Sequence, residues 1–267
     1  MRKSPIEYGL YLMEAFLEML NSFSSLCDDF YVDMQINTHL DLPGERDTVL
    51  TFFERIQKQF SGMNNFYRKS NGDFCLEQEK EGEKYRWVNL EIDRICAGCA
   101  NPRDMDHSYK LNQLVLDIAP YMLGVSHLDI DSLDVTFSMD FDFQGNHNEV
   151  IAEALFASTA FGAFMDIPDS KPLRFSPTII LALDEECSTQ ARVTIESRTG
   201  LAEVKNQKFK PDDPISLYFT IRRQGKGREF YSPESLQHQC QLAENMMAEK
   251  IVPCFVGPLT NAIAQRR

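Results

Sequence analysis

The sequence lacks the features by which several large protein classes are recognised. It contains no run of about 18 uninterrupted apolar residues, so no segment of it is predicted to span a membrane. The G-x-S-x-G, H-E-x-x-H and Walker A motifs do not occur, and no G-x-G-x-x-G links a strand to a helix. These absences remove the usual sequence evidence for a hydrolase, a zinc protease or a nucleotide-binding enzyme.

Positive charge is also scarce. The 27 Lys and Arg residues against 40 Asp and Glu give a formal net charge of −13 at pH 7. This charge repels phosphate backbones and anionic lipid headgroups, which disfavours nucleic-acid and membrane partners unless a local basic patch overrides it. The 267 residues, 43% of them hydrophobic, can form one large globular domain or two small ones.

The seven cysteines do not resemble a disulfide framework, because they are odd in number and scattered through a long chain. The first four residues, MRKS, are basic, but Glu7, Glu14 and Glu18 interrupt the apolar segment that an export signal requires. We therefore predict a cytoplasmic protein in a reducing environment.

Residues 1–29 are predicted to form a separate N-terminal helical segment. Ser4, Pro5 and Glu7 fit a capping box with proline at the first helical position. Apolar residues behind the box recur at helical spacing, at Ile6, Leu10, Met13, Leu17 and Leu20. This stripe is expected to pack on the core.

The remainder is predicted to be an internal duplication, with a first repeat at 30–125 and a second at 126–267. In the first repeat, apolar residues alternate in a strand from Phe30 and then follow helical spacing over 47–60. Three strands follow within 73–102, and the repeat ends in a helix that closes with "DIAPYMLG". The predicted order is β-α-β-β-β-α.

The second repeat gives the same series. A strand over 135–143 precedes a helix at about 148–164, and strands are predicted at 178–183, 191–197 and 215–222. The final helix starts at Ser232-Pro233 and closes with "KIVPCFVG". The order is again β-α-β-β-β-α, with extra basic loop residues in this half.

The two closing segments share the pattern Ile-x-Pro-x-x-x-Gly, as Ile118/Ile251, Pro120/Pro253 and Gly124/Gly257. A proline within a helix removes a backbone hydrogen bond and bends the helix. A glycine can adopt the left-handed conformation that ends one. We expect each repeat to end in a bent helix that wraps over a twisted sheet and stops at the glycine; a ligand at the bend is the alternative.

Alternating strands need helices on one face only, so the predicted fold class is α+β with a mainly antiparallel sheet. The two pseudo-repeats would be related by a pseudo-twofold axis, either in one saddle-like sheet or as two packed half-domains. The order of elements resembles that of the TATA-binding-protein and helix-grip folds. A shared fold does not imply a shared function.

Cys96 and Cys99 form a C-x-x-C motif. Such a pair can be a redox dithiol at a helix N-terminus, or half of a zinc site if a second pair of ligands exists. The motif lies in a strand-like stretch without a second closely spaced pair. The alternatives are two ordinary thiols, a metal site or a redox site, of which the first is favoured.

Asp140, Asp142 and His147 are the candidate catalytic residues. Alternate residues of a strand project from one face, so the two carboxylates are predicted to lie side by side, with the histidine just beyond the strand. They could hold a metal ion or act as acid and base. The simpler interpretation is that these residues belong to the polar face of the sheet.

A basic loop at 222–228 is the candidate ligand-binding segment. Its cationic residues are Arg222, Arg223, Lys226 and Arg228, interleaved with glycines. Such a loop can cradle an anion, although blocks of like charge are more often solvated surface.

These observations favour a non-enzymatic binding protein that uses the polar sheet face, or the groove between the repeats, for a protein or a small molecule. The alternative is a metal-dependent or acid–base enzyme using Asp140, Asp142 and His147. The sequence indicates no cofactor, disfavours nucleic-acid and membrane partners, and leaves a homo-oligomer open.

Overall fold

The protein is described from a computed structural model. The structure describes residues 23–80, 82–225 and 227–266. The predicted N-terminal helix and its capping box fall within residues 1–22, and Lys226 of the basic loop is also outside the described residues.

Within the described residues, nine antiparallel strands form one continuous sheet, in the order β2-β3-β4-β5-β1-β6-β9-β8-β7. The strands are β1 (Asp29–Thr38), β2 (Met63–Arg68), β3 (Phe74–Gln78), β4 (Tyr85–Leu90), β5 (Arg94–Ala100), β6 (Ile130–Phe141), β7 (Thr178–Ala182), β8 (Thr189–Glu196) and β9 (Ile215–Gln224). The sequence left open one continuous sheet or two packed half-domains, and the structure has one sheet.

The helices are α1 (Arg46–Gln59), α2 (Met105–Met122), α3 (His147–Phe156), α4 (Ala160–Met165), α5 (Leu201–Asn206), α6 (Pro233–Met246), a π-helix (Met247–Val256) and α7 (Gly257–Ala264). Helix α6 starts as predicted, because the Ser232 side chain accepts a hydrogen bond from the backbone N–H of Ser235. In the described part of the chain, no helix is long and apolar enough to cross a membrane.

The two faces of the sheet differ in composition, as the alternation in the sequence predicts. Phe30, Val32, Met34 and Ile36 of β1 are buried on the face that carries helices, whereas the residues between them are half-buried and polar or aromatic. On the helix-bearing side, Phe137 of β6 packs its ring against Phe23 and Phe30. The α+β class with helices packed on an antiparallel sheet is confirmed.

The strand order is symmetric about the central β1–β6 pair. β5 and β9 flank that pair, β4 and β8 lie outside them, and β3 and β7 lie outside those. Two related repeats would produce this order. The duplication itself and its boundaries, 30–125 and 126–267, stay predictions.

Two elements differ from the sequence-based expectation. β2 was not predicted, because this edge strand exposes most of its residues and therefore shows no apolar alternation. The single helix expected at 148–164 is divided into α3 and α4, because the Thr159 side chain accepts a hydrogen bond from the N–H of Phe161 and caps a new helix. The first half thus has four strands after its first helix, and the second half has three.

The two proline-containing segments end differently. Pro120 lies in the last turn of α2, and Gly124 follows with a positive φ of 70°, as expected of a left-handed helix stop. Pro253 instead lies within the π-helix, and Gly257 has a helical φ of −55° and begins α7. The prediction of a stop at Gly257 is wrong. A π-helix register hydrogen-bonds residues five apart, so the chain continues past the proline.

Candidate functional site

The face of the sheet opposite the helices, here called the polar face, is built around the β1–β6 pair. Gln35 lies opposite Asp134, and Asp33 lies opposite Thr136. Several polar side chains of β6 on this face are buried, namely Ser132, Asp134, Thr136 and Ser138. Buried polar groups are costly unless they are hydrogen-bonded, so this concentration marks the polar face as the principal candidate site.

An ion pair between Asp134 and Arg222 lies near the middle of this face. The guanidinium donates from Nε to Oδ1 at 2.9 Å and from Nη2 to Oδ2 at 2.6 Å, a bidentate arrangement. Asn37 adds a donor to Asp134 Oδ2 at 3.3 Å. The Asp134 side chain is only 4% exposed, against 36% for Arg222, so the arginine shields a carboxylate that water hardly reaches.

A cavity of about 460 Å³ opens on the polar face beside this pair. It is lined from six neighbouring strands, so the sheet must curve around it. Its lining residues are Gln35, Arg94, Asp134, Thr136, Ile180, Gln190, Arg192, Thr194, Glu196, Tyr218, Thr220 and Arg222. Guanidinium, hydroxyl and amide groups therefore converge on one concave volume of a size typical for small-molecule sites.

The arginines of the cavity differ in their partners. Arg94 is held by Glu91, with Nη2 at 2.8 Å from the carboxylate, and Arg222 is held by Asp134. Arg192 is exposed and donates to the Thr194 hydroxyl at 3.2 Å. Among the described residues, no carboxylate lies within ion-pair distance of Arg192. Among the described lining residues, Arg192 is thus the arginine without an acidic partner, and the exposed Glu196 is an acid of the same lining that forms no ion pair.

Asp33 is a candidate functional residue of the polar face that sequence analysis missed. It lies on the polar face next to Trp87 and Gly98. Burial raises its pKa to about 7, with a smaller contribution from the charge of Asp134, although a hydrogen bond from Gln35 favours the charged form. The sequence shows only an aspartate in an alternating strand; the desolvation comes from the neighbouring strands.

Each of the three predicted catalytic residues is engaged by partners outside the trio. Asp140 accepts a hydrogen bond from Ser216 Oγ at 2.6 Å, and the backbone N–H of Asp142 donates to Asp28. His147 is 2% exposed, with Nε2 3.0 Å from the carbonyl oxygen of Phe143 and Nδ1 accepting from the N–H of Arg198. Burial raises the pKa of Asp140 and lowers that of His147.

Both ring nitrogens of His147 are thus engaged by the backbone, so this histidine tethers α3 to the loop after β8. It is not poised to transfer a proton or to bind a metal ion. Across the described ranges, no group of three or more His, Cys, Asp or Glu side chains is placed to hold a metal ion.

The C-x-x-C motif lies within β5, where its two cysteines point to opposite faces. Cys96 pairs with Gln35 and faces the polar side, whereas Cys99 pairs with Val32 and faces the helices. Residues three apart in a strand are separated by roughly 10 Å, beyond the reach of a disulfide or a shared metal ion. Burial raises the pKa of both thiols. This geometry therefore disfavours the metal and dithiol interpretations of Cys96 and Cys99.

The predicted basic loop is also divided between faces. Arg222 faces the polar side, while Arg223 donates to Ser235 Oγ at 3.0 Å and stacks over Phe230 near α6. Lys226 lies outside the described residues, and of Arg228 only the backbone is described, in a short 3₁₀ helix. The described part of this loop forms no single cationic cradle.

Comparison with known proteins adds little. No family model matches the chain, and no curated protein matches it. Among solved structures, the di-domain ARO/CYC StfQ from the steffimycin biosynthetic pathway aligns with 9% identity over 88% of this chain and 97% of that one. Its TM-score is 0.22, which is too low to establish a shared fold.

Proposed function

We propose that this is a non-enzymatic binding protein that holds a small, hydroxyl-rich carboxylate in the cavity on the polar face. The observation that carries the proposal is the convergence of polar side chains from six strands on one concave volume of about 460 Å³. Rigid strands place these groups, so the site is formed before a ligand arrives.

The chemistry of the lining favours binding over catalysis. It contains no histidine or cysteine, and its most buried acid, Asp134, is tied to Arg222 by two short hydrogen bonds. An enzyme needs a nucleophile or an acid–base pair close to a reacting atom. The lining instead offers a set of hydrogen-bond donors and acceptors suited to recognition.

Arg192 defines the ligand class. A guanidinium without an acidic partner favours a carboxylate, which it can meet with two parallel hydrogen bonds. The neighbouring hydroxyl and amide groups of Gln190, Thr194, Tyr218 and Thr220 suit the hydroxyl groups of the same molecule. The ligand proposed is therefore a small hydroxy acid.

Isothermal titration with gluconate and sorbitol tests the proposal, because these probes differ in the carboxylate. We expect gluconate to bind at least tenfold more tightly than sorbitol, since one charge-assisted pair contributes about 1.4 kcal/mol or more. In Arg192→Ala the preference for gluconate should disappear. In Thr194→Trp, which fills the cavity, binding of both probes should be lost.

Arg55→Ala serves as the matched control, because Arg55 is an exposed arginine on α1. It should leave both affinities unchanged. Equal affinity for the two probes, or gluconate binding that persists in Arg192→Ala and Thr194→Trp, contradicts the proposal.

A further inference from the structure

A second cationic site lies on the other side of the sheet, where β4 and β5 meet the start of α2. A cavity of about 380 Å³ opens there. Its cationic residues are Lys84, Arg86 and Arg103, with His107 beside them. Asp104 is the acidic residue of the lining, which gives +2 from three cations and one acid with His107 neutral. In a protein of net charge −13, such a local excess is unusual.

The cations of this cavity form no ion pair with any described residue. In the described ranges, no carboxylate lies within ion-pair distance of Lys84, Arg86 or Arg103. The Asp104 side chain is occupied as the N-cap of α2, where Oδ1 accepts from the backbone N–H of His107 at 2.7 Å. Among the described residues, the positive charge thus has no ion-pair partner that a ligand would have to displace.

Arg86 is the fixed element of the site. Its Nη1 donates to Gln78 Oε1 at 2.9 Å, and its guanidinium lies 5.6 Å from the centre of the Phe60 ring. The Nε atom of Arg86 is buried without a hydrogen-bond partner. The positive charge of the Arg86 guanidinium is therefore poorly compensated by its surroundings. A second cavity shares Arg86 and His107 with the first, and its lining adds one cation, Lys110, and one acid, Asp117.

The loop that presents Arg103 is anchored to the sheet. Asn101 accepts a hydrogen bond from the N–H of Phe30 at 2.9 Å and donates from Nδ2 to Asp29 at 2.7 Å. Its backbone N–H also donates to the carbonyl oxygen of Phe30. A loop fixed in this way does not have to be ordered on binding, which lowers the cost of association.

We propose that this cavity, between the β4–β5 strand pair and the start of α2, binds a phosphate group. Cations that approach from two segments, at 84–86 and in the loop at Arg103, suit a group with several anionic oxygens better than a planar carboxylate. The dipole at the start of α2 also favours an anion, although the Asp104 carboxylate already caps the first turn. The volume exceeds that of one phosphate and leaves room for the rest of a small phosphorylated molecule.

The test is isothermal titration of the full chain at constant ionic strength with inorganic phosphate, glycerol 3-phosphate and acetate. We expect both phosphates to bind at least tenfold more tightly than acetate. Tighter binding of glycerol 3-phosphate than of phosphate identifies an ester as the ligand, and equal binding identifies the free ion. Acetate that shifts the backbone amide resonances of Met105, Asp106 and His107 as much as the phosphates do overturns the proposal, as does no binding by any of the three.

Substitutions place the binding in this cavity. Arg103→Ala alters an exposed side chain and should weaken phosphate binding by about fivefold or more, as should Arg86→Gln. Arg55→Ala is the control and should bind phosphate as the unsubstituted protein does. Binding that is unchanged in both Arg103→Ala and Arg86→Gln refutes the assignment.

A spectroscopic measurement provides a readout that does not depend on the variants. Phosphate should shift the backbone amide resonances of Met105, Asp106 and His107 more than those of the polar face. The opposite pattern would place the anion at Arg192 instead and would refute this site without affecting the proposed carboxylate site.

Discussion

Asp33→Asn should stabilise the protein at neutral pH, because the wild-type carboxylate is held in a desolvated position. Burial raises the pKa of Asp33 to about 7, whereas a free aspartate titrates near 3.9. The charged form is therefore disfavoured in the folded state. The stabilising contribution of neutral Asp33 is fully present below about pH 4 and is lost as the pH rises through about 7.

The size of the effect follows from the two pKa values. Their difference corresponds to about 4 kcal/mol for a fully shielded group. Solvent reaches part of Asp33, which is half-buried, so we expect about 2–4 kcal/mol. Asparagine has the same shape and can accept the hydrogen bond from Gln35 Nε2, 3.3 Å away in the native protein.

Urea denaturation at pH 4.5 and pH 8 measures the effect. The unfolding free energy of Asp33→Asn should be close to that of the wild type at pH 4.5 and should exceed it by about 2–4 kcal/mol at pH 8. Asp41→Asn, in an exposed loop, is the control and should change neither value. A difference between Asp33→Asn and wild type that is the same at both pH values would refute the argument.

Three further results are expected. Arg222→Ala should lower the unfolding free energy by about 3 kcal/mol, because it leaves the Asp134 carboxylate buried without its main partner. Asp134→Asn should lower the unfolding free energy by less. Equal losses for the two variants in urea denaturation would contradict this. Gly98→Ala should lower the unfolding free energy by about 1–3 kcal/mol, because the added methyl would lie 2.8 Å from the Cβ of Asp33 and against the Trp87 ring. An unchanged midpoint of thermal unfolding would argue against this close packing. Oxidation of the native protein with diamide should yield no disulfide between Cys96 and Cys99 by peptide mass spectrometry, and finding that disulfide would show that β5 opens.

The strands at the centre of the sheet could be predicted because burial acts on every second residue. In β1, Phe30, Val32, Met34 and Ile36 are buried against helices and the residues between them are not, so the pattern is visible in the sequence. β2 has no such pattern because it lies at the edge of the sheet with its side chains largely exposed. The end of the last helix was mispredicted because the π-helix register at Pro253 depends on packing rather than on local propensity.

The candidate sites, like the strands, were predictable from the sequence only in part. Strand alternation in the sequence was enough to predict a polar face and to place Asp140 on it. Alternation also decides that residues three apart, Cys96 and Cys99, face opposite sides, once the strand itself is established.

The sequence by itself determined the fold class, the helix-bearing face and the overall negative charge, because local spacing and composition control these properties. The tertiary structure decided which charges meet. Arg222 reaches Asp134 across 88 residues, Arg192 is left without an acid, and Arg86 and Arg103 come together at the start of α2. Such contacts depend on how strands pair and curve, and no local pattern of residues encodes that pairing.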